Sequence, residues 1–297
     1  VNSSERASSL SKGPLNRPCG NIGINIETIQ PVSPKRGTPA DMQEETYMMQ
    51  EEEVVAGKHS VTEALKSGRT INKIWIAENA QKHLTLPIIA EAKKLGIVIQ
   101  HVDKRKLDQM VPGVQHQGVV AQAAPYAYVE VDDLLKAAEE KGELPFLLLL
   151  DEIEDPHNLG SILRTADCTG AHGVILPKRR SAQVTATVSK TSAGAVEYVP
   201  VARVTNLGQT IDQLKEMGVW VVGTVVDAVQ ELYDTEVFDG PVAIVIGNEN
   251  KGMGRLIREK CDVLVKLPMA GKINSLNASV AAGVVMYEVL RRRRLQG

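Results

Sequence analysis

From residue 146 onward the chain holds five short runs that are almost wholly apolar: FLLLLDEI, GVILP, VWVVGTVV, VAIVIG and DVLVKL. A strand with one wet face alternates apolar and polar residues, so runs without alternation must be covered on both faces. Helix-patterned stretches lie between them, and the combination predicts an α/β fold built on a parallel sheet. Ligands of such sheets sit beyond the carboxyl ends of the strands. Chemistry is therefore to be sought directly after each apolar run.

The remaining chain divides by pattern. Residues 1–52 are rich in Ser, Pro, Gly and Asn without periodicity, which predicts a disordered N-terminal extension. Residues 53–125 alternate helical stretches (HSVTEALKSG, LTLPIIAEAKKLG, DKRKLDQMV) with strand-like ones (INKIWIAE, IVIQHVD, HQGVVAQAA), as a small α/β domain would. Residues 126–145 read as a linker with one short helix, and residues 146–297 as the larger domain. A hydrophobic content of 43% supplies a core, but aromatics are only 3%, which argues against wide stacking platforms for single-stranded bases. The formal charge of −2 gives no global basic field. A nucleic-acid partner would need a local patch, and the obvious basic run is RRRR at 291–294, equally readable as a solvated helix end.

Cys19, Cys168 and Cys261 are widely spaced with no CxxC pair, so they form neither a disulfide framework nor a zinc site. No apolar run reaches the ~18 residues of a membrane span. The first residues lack the apolar centre of a secretory signal. A cytoplasmic protein without a membrane or metal partner is the expectation.

Three strand-end segments carry the polar chemistry. After FLLLLDEI comes EDPHNLGSILRTADCTGAHG. Asn158 is placed to cap a helix whose apolar face is Leu159, Ile162, Leu163 and Ala166. Arg164 lies off that face, either as a solvated charge or as a clamp for phosphate. After VAIVIG comes NENKGMG, whose neighbours Gly247, Gly252 and Gly254 allow close backbone approach and positive φ. It matches neither the dinucleotide fingerprint nor the P-loop. Glu249 would repel phosphate and suits hydroxyls, amines or positive charge, unless the segment is a plain turn. After DVLVKL comes LPMAGKINS, a kinked loop delivering Ser275 and Asn277 to a helix expected over 275–293. General rules reach an α/β enzyme with an unusual ligand loop and stop there.

Taken together, NLGSILRTA (158–166), IVIGNENKGM (244–253) and LPMAGKINSLNASVAAGVVMYEVLRR (267–292) resemble the signature of the SpoU (TrmH-type) branch of the SPOUT RNA methyltransferases. The likeness extends over about 54–294, including VAGKHSVTEAL and VPGVQHQGVVAQ in the smaller domain. It is nearest to the bacterial enzymes that methylate a guanosine ribose in large-subunit ribosomal RNA. The resemblance implies a deep trefoil knot in the larger domain, an RNA-binding smaller domain, a homodimer, and S-adenosylmethionine as cofactor. It places cofactor contacts on Gly247, Leu267 and Leu276, with Ile246 and Met269 lining the same pocket. It places the polar catalytic set on Asn158, Arg164, Glu249, Ser275 and Asn277, and RNA contacts on Lys58, His59 and Arg164. His59 and His116 are individually as well explained as surface or capping residues. The sequence departs from the family at Asn250, where many relatives carry Gly; a left-handed backbone tolerates Asn next best. The family reaction on transfer RNA and a non-catalytic RNA-binding role are the alternatives.

Overall fold

The computed structural model describes residues 53–295, and the expected disordered extension over 1–52 lies outside them. The smaller lobe runs β1 (Glu53–Ala56), α1 (Lys58–Lys66), β2 (Ile71–Ala77), α2 (Lys82–Lys94), β3 (Val98–Val102), α3 (Lys104–Met110) and β4 (Val119–Ala123). Its four-stranded sheet has the order β1-β4-β2-β3. β4 runs antiparallel to both its neighbours, and β3 runs parallel to β2. Val61, Leu65, Ile74, Ile76 and Ile88 form the core beneath the helices.

The larger lobe continues through α4 (Val131–Glu140), β5 (Phe146–Leu150), α5 (Pro156–Thr169), β6 (Gly173–Pro177), α6 (Ala186–Thr191), β7 (Val201–Val204) and α7 (Leu207–Glu216). It ends with β8 (Trp220–Thr224), β9 (Gln230–Glu231), β10 (Val242–Ile246), α8 (Arg255–Lys260), β11 (Val263–Lys266) and α9 (Ala278–Arg294). The seven strands lie in the order β7-β6-β5-β10-β8-β11-β9, and every pairing is parallel. β5 and β10 occupy the middle and every residue in them is buried.

The reason is visible in β5. Leu148 and Leu150 point to a core shared with α5 and α9, and Leu147 and Leu149 point to one shared with α4 and α7. Each such leucine contributes roughly 1.5–3 kcal/mol by leaving water, so loss of either covering layer would expose half the strand.

Residues 126–145, expected as a linker, are packed into the larger lobe. Leu134 lies fully buried against the second core. The Tyr126 and Tyr128 hydroxyls accept from the Val201 and Val184 amides at 3.2 and 3.0 Å. The smaller lobe is fastened to the larger by Arg69, which meets Glu197 at 2.9 Å and Glu53 at 2.5 Å. Ser60 donates to the Ser189 carbonyl at 3.0 Å across the same junction.

The basic run at 291–294 is mostly structural. Arg291 and Arg292 grip the buried Glu288, and Arg292 also donates to the Tyr233 carbonyl at 2.7 Å. Arg293 donates to the carbonyls of Leu144, Pro145 and Gly240 at 2.7 to 3.0 Å, with its guanidinium 5.4 Å from the Phe146 ring centroid. The run ties the C-terminal helix to the start of the central strand. That leaves Arg294 as its freely exposed member.

Candidate active site

β5 and β10 end side by side, with the Asp151 amide donating to the Ile246 carbonyl at 2.8 Å. The chain after β5 enters α5 through Asp155 and Pro156. Asp155 accepts from the His157 amide at 2.9 Å and is the N-cap, with Pro156 at the first helical position. This corrects the expected cap at Asn158. Proline has no N–H to satisfy and a fixed φ suited to the first turn, so it sets the boundary one residue upstream of itself. Asn158 therefore lies inside the helix, turned inward and only 7% exposed.

Its inward turn brings Asn158 to Glu249 and Asn277. The Asn158 amide donates to Glu249 Oε1 at 3.3 Å, and Asn277 Nδ2 donates to Asn158 Oδ1 at 3.0 Å. Asn277 Nδ2 also bonds Glu249 Oε1, and the Ala278 amide donates to that same oxygen at 2.9 Å. Asn277 is meanwhile the N-cap of α9, accepting from the Ser279 and Val280 amides at 3.0 and 3.3 Å. The helix thus starts at Ala278, and Ser275 and Leu276 precede it as loop. Glu249 places a carboxylate at the positive end of α9, where it is electrostatically favoured.

The loop bearing Glu249 is closed on itself. The Asn248 and Gly252 backbones exchange hydrogen bonds at 3.0 and 2.8 Å, and Asn248 Oδ1 accepts from the Asn250 and Lys251 amides. Asn248 Nδ2 reaches across to the Glu152 carbonyl at 2.8 Å. At Gly247 a Cβ would lie 2.5 Å from the Met253 nitrogen, so only glycine fits. Gly252 alone of this loop takes the left-handed conformation, at φ +70. Asn250 does not, so its tolerance rests on an ordinary backbone rather than on the left-handed one expected for it.

Behind the loop sits Asp151, buried, which accepts from the Gly254 amide at 2.7 Å. Burial pushes its carboxyl above the usual range and Glu152 adds repulsion, while the Gly254 hydrogen bond opposes both. Glu152 itself adopts φ +57 and reaches Arg180 at 2.8 Å and Lys251 at 3.4 Å. Asp151, Glu152, Asp155 and Asn248 all shape the site, and none was expected from the sequence. The Asp-Pro pair before an apolar helical pattern was a readable cap signal.

Between β8, β10 and the loop after β11 lies a cavity of about 430 Å³. Ile246, Gly247, Leu267, Met269 and Leu276, the positions expected for cofactor contact, all line it, as do Ser275 and Glu249. Asp227 and Arg258 pair at 3.0 Å on its rim. The volume and the largely apolar walls suit a nucleoside-sized ligand.

Arg164 is not gathered into this cluster. It is exposed, forms no ion pair among the described residues and does not line the cavity. Six residues past Asn158, it stands about 9 Å further along α5 and about 120° round it. Lys58 and His59 open α1 in the smaller lobe, and Lys58 lines a separate cavity there.

The geometry can be set beside known proteins. A family model described as the SpoU rRNA Methylase family matches residues 145–287, and one described as RNA 2'-O ribose methyltransferase substrate binding matches residues 54–129. YacO of Bacillus subtilis, assigned to the TrmH family of tRNA/rRNA methyltransferases, is 60% identical over 252 residues, covering 84% of this chain and 100% of that protein. The chain belongs to the SpoU family of RNA methyltransferases.

A Staphylococcus aureus protein with the same family assignment is 52% identical over 243 residues, covering 82% of this chain and 97% of its own. Among solved structures, the SpoU methyltransferase AviRb from Streptomyces viridochromogenes, crystallised with its cofactor AdoMet, superposes with a TM-score of 0.69 at 26% identity. It covers 84% of this chain and 93% of its own. The three strand-end segments with the family signature are those that Asn158, Glu249 and Asn277 tie together here.

Proposed function

We propose that this chain uses S-adenosylmethionine to methylate a ribose 2′-hydroxyl in RNA, and that the target is a guanosine of large-subunit ribosomal RNA. It acts in the cytoplasm as a homodimer, with the segment 267–277 threaded as part of a deep trefoil knot. The observation that carries the reading is the Asn158–Glu249–Asn277 cluster, which joins the three strand-end segments beside the cavity that Glu249 lines. The choice of ribosomal RNA is supported by the substantial smaller lobe, which matches a substrate-binding family.

The residues present fit the cofactor. Ile246, Leu267, Met269 and Leu276 offer apolar walls for adenine, and the missing Cβ of Gly247 lets the 252–253 backbone close beside them. The cofactor supplies a methyl group already activated on a sulfonium. The remaining task is to bring the 2′-oxygen into line and stabilise the charge that develops on it. Arg164 is exposed and forms no ion pair among the described residues, which leaves its fork of N–H groups to grip the neighbouring phosphate. Its guanidinium, a donor with no acceptor site, acts by charge rather than as a base. Glu249, with one oxygen accepting three donors, positions the loop and helix rather than moving a proton. Ser275 faces the cavity and orients the nucleotide.

The test is methyl transfer from labelled S-adenosylmethionine to ribosomal RNA. Arg164→Ala should lose about 100-fold or more in turnover with unchanged melting temperature. Arg164→Lys should fail too, since a point charge does not reproduce the fork. Near-normal turnover in either variant removes Arg164 from the mechanism. Mapping ribose methyls in the gene-deleted strain should find a guanosine of large-subunit ribosomal RNA unmodified; a missing methyl in transfer RNA instead would favour that substrate.

A further inference from the structure

A second cavity lies apart from the cofactor cleft. It has a volume of about 660 Å³, lies wholly in the smaller lobe, and shares no residue with the cleft beside β10. We propose that it holds one unstacked nucleotide of the RNA substrate, with Asn79, Gln115 and Gln117 on the base edge and Lys58 and Lys104 at flanking phosphates. This rests on the RNA-methyltransferase reading above.

The floor of the cavity is aliphatic, from Ala77, Ala80, Leu84, Val111 and Val114. It offers a base an apolar face without an aromatic ring, in keeping with the low aromatic content. The rim is amide. Asn79, Gln115 and Gln117 are exposed, and their side chains have no hydrogen-bond partner among the described residues. A carboxamide presents a donor and an acceptor side by side, which is what the edge of a nucleobase requires. Concavity matters here, because only a base lifted out of its stack can enter a cavity.

The loop that presents Gln115 and Gln117 is built at a cost in backbone strain. Gln117 adopts φ +51 and Gly118 φ +82, two left-handed residues in succession. For a non-glycine residue that costs about 1 kcal/mol or more, and such positions gather at ligand clamps. At Gly118 an added Cβ would also lie 3.0 Å from the Ala80 Cβ, so the turn is pressed against the cavity wall. What holds it is His116, buried between the two glutamines. Its Nδ1 accepts from the Gly118 amide at 3.0 Å, and its Nε2 meets Asp108 of α3 at 3.0 Å. With Nδ1 accepting, the proton of the neutral ring lies on Nε2 and is donated to Asp108. The histidine is therefore fully occupied as a wedge, and both flanking glutamines are turned outward.

Positive charge leads from this cavity toward Arg164. Neither Lys58 nor Lys104 has an acidic partner among the described residues. Gly57, beside Lys58, lies against the side chain of Lys190 in α6, whose ammonium is depressed by burial and by Lys58. The next residue, Thr191, approaches His157 at 3.4 Å and packs on Gly160 of α5, one turn ahead of Arg164. Lys58, Lys190 and Arg164 thus follow one another across the lobe junction, and among the described residues no carboxylate pairs with any of them. Unneutralised cations in sequence are what a phosphate backbone neutralises.

The probes are two labelled RNAs with the same stem, one closed by a single-stranded loop of mixed sequence and the other a blunt duplex. Binding of the full chain is followed by anisotropy. The wild type should prefer the looped RNA. Asn79→Ala with Gln115→Ala, both exposed positions, should lose about 10-fold or more of the affinity for the loop, the scale of lost base-edge contacts. Its duplex affinity, melting temperature and S-adenosylmethionine binding should be unchanged. Wild-type loop affinity in the double variant, or equal binding of both RNAs by the wild type, overturns the proposal. A wild-type chain that binds S-adenosylmethionine but neither RNA would overturn the RNA-methyltransferase reading itself.

Discussion

Glu249 accepts on one oxygen from Asn158 of α5, from Asn277, and from the first backbone amide of α9. Its own backbone belongs to the loop after β10, so a single carboxylate joins three segments that are distant in sequence. Removing it would leave the inward-facing Asn158 amide and the Ala278 N–H without their acceptor. An abandoned polar group costs about 1–3 kcal/mol, and the partly open setting of this one puts it toward the lower end. Glu249→Ala should therefore lower the urea midpoint measurably. Glu249→Gln keeps an acceptor oxygen and loses only the charge-assisted share of the bonds, so it should cost about half as much. Equal midpoints for Glu249→Ala and the wild type would show that the cluster contributes no stability. Arg164 is the opposite kind of residue, exposed and with no ion pair among the described residues, and its substitution should be silent in the same measurement.

At the scale of elements, the start of the central sheet is pinned by His172. Its Nδ1 accepts from the Phe146 amide at 3.0 Å and its Nε2 meets Glu143 at 3.0 Å, with the side chain fully buried. Burial pushes its pKa down, and the nearby Lys141 and Arg293 push the same way against the opposing Glu143. The unfolded chain takes up a proton as pH falls below about 6.5, while the folded state resists it. The stability so contributed is present above that pH and is lost as pH falls through the lower folded value. The urea midpoint should drop from neutral to mildly acid pH, and His172→Asn, whose Oδ1 can replace Nδ1, should drop less. Asp151, shifted upward, acts in the other direction, so the comparison of slopes between variant and wild type is the informative one. Identical slopes would remove His172 from the pH dependence.

The same elements explain what the sequence made legible. β5, β6, β8, β10 and β11 were readable because strands covered on both faces leave continuous apolar runs. β1, β7 and β9 were not. EVVA and VARV are short and half exposed, and QE has no apolar residue at all. α4 read as a linker helix because its composition is charged, although Leu134 and Ala138 are buried and Val131 and Leu135 pack on the same core. In the site, all five residues expected around the cofactor line one cavity: Ile246, Gly247 and Leu267 because they sit at the ends of parallel strands, Met269 and Leu276 because they lie on the loop between β11 and α9. The roles of Asn158 and Asn277 were harder to read: an asparagine before a helix can cap it or point elsewhere, and only the neighbouring Asp-Pro pair separates the two cases.

At the scale of the whole molecule, α9 has two apolar faces and the described residues cover only one. Ala282, Val285, Met286 and Val289 are buried against the sheet and α5. Val280 and Tyr287 remain 50% and 53% exposed, with Val284 between them and Tyr233 alongside. The spacing 280, 284, 287 is one helical stripe, so the exposed residues form a continuous patch. Gly283 lies against Thr165 of α5, the residue after Arg164, which puts the edge of this patch next to the exposed arginine. A second copy of the chain seated on the stripe is the proposed dimer. It would bury the patch and bring Arg164 to the border of the interface, where substrate could be gripped from both subunits. Val280→Asp with Tyr287→Asp should therefore give a monomer by light scattering, because a carboxylate at the centre of an interface stays unpaired and costs more than the packing returns. Since both side chains are already half solvated, the fold of the single chain should keep its melting temperature. Methyl transfer should fall about 10-fold or more as orientation at Arg164 is lost. A wild-type chain that is monomeric at micromolar concentration and fully active would refute the dimer, and the apolar stripe on α9 would need another occupant.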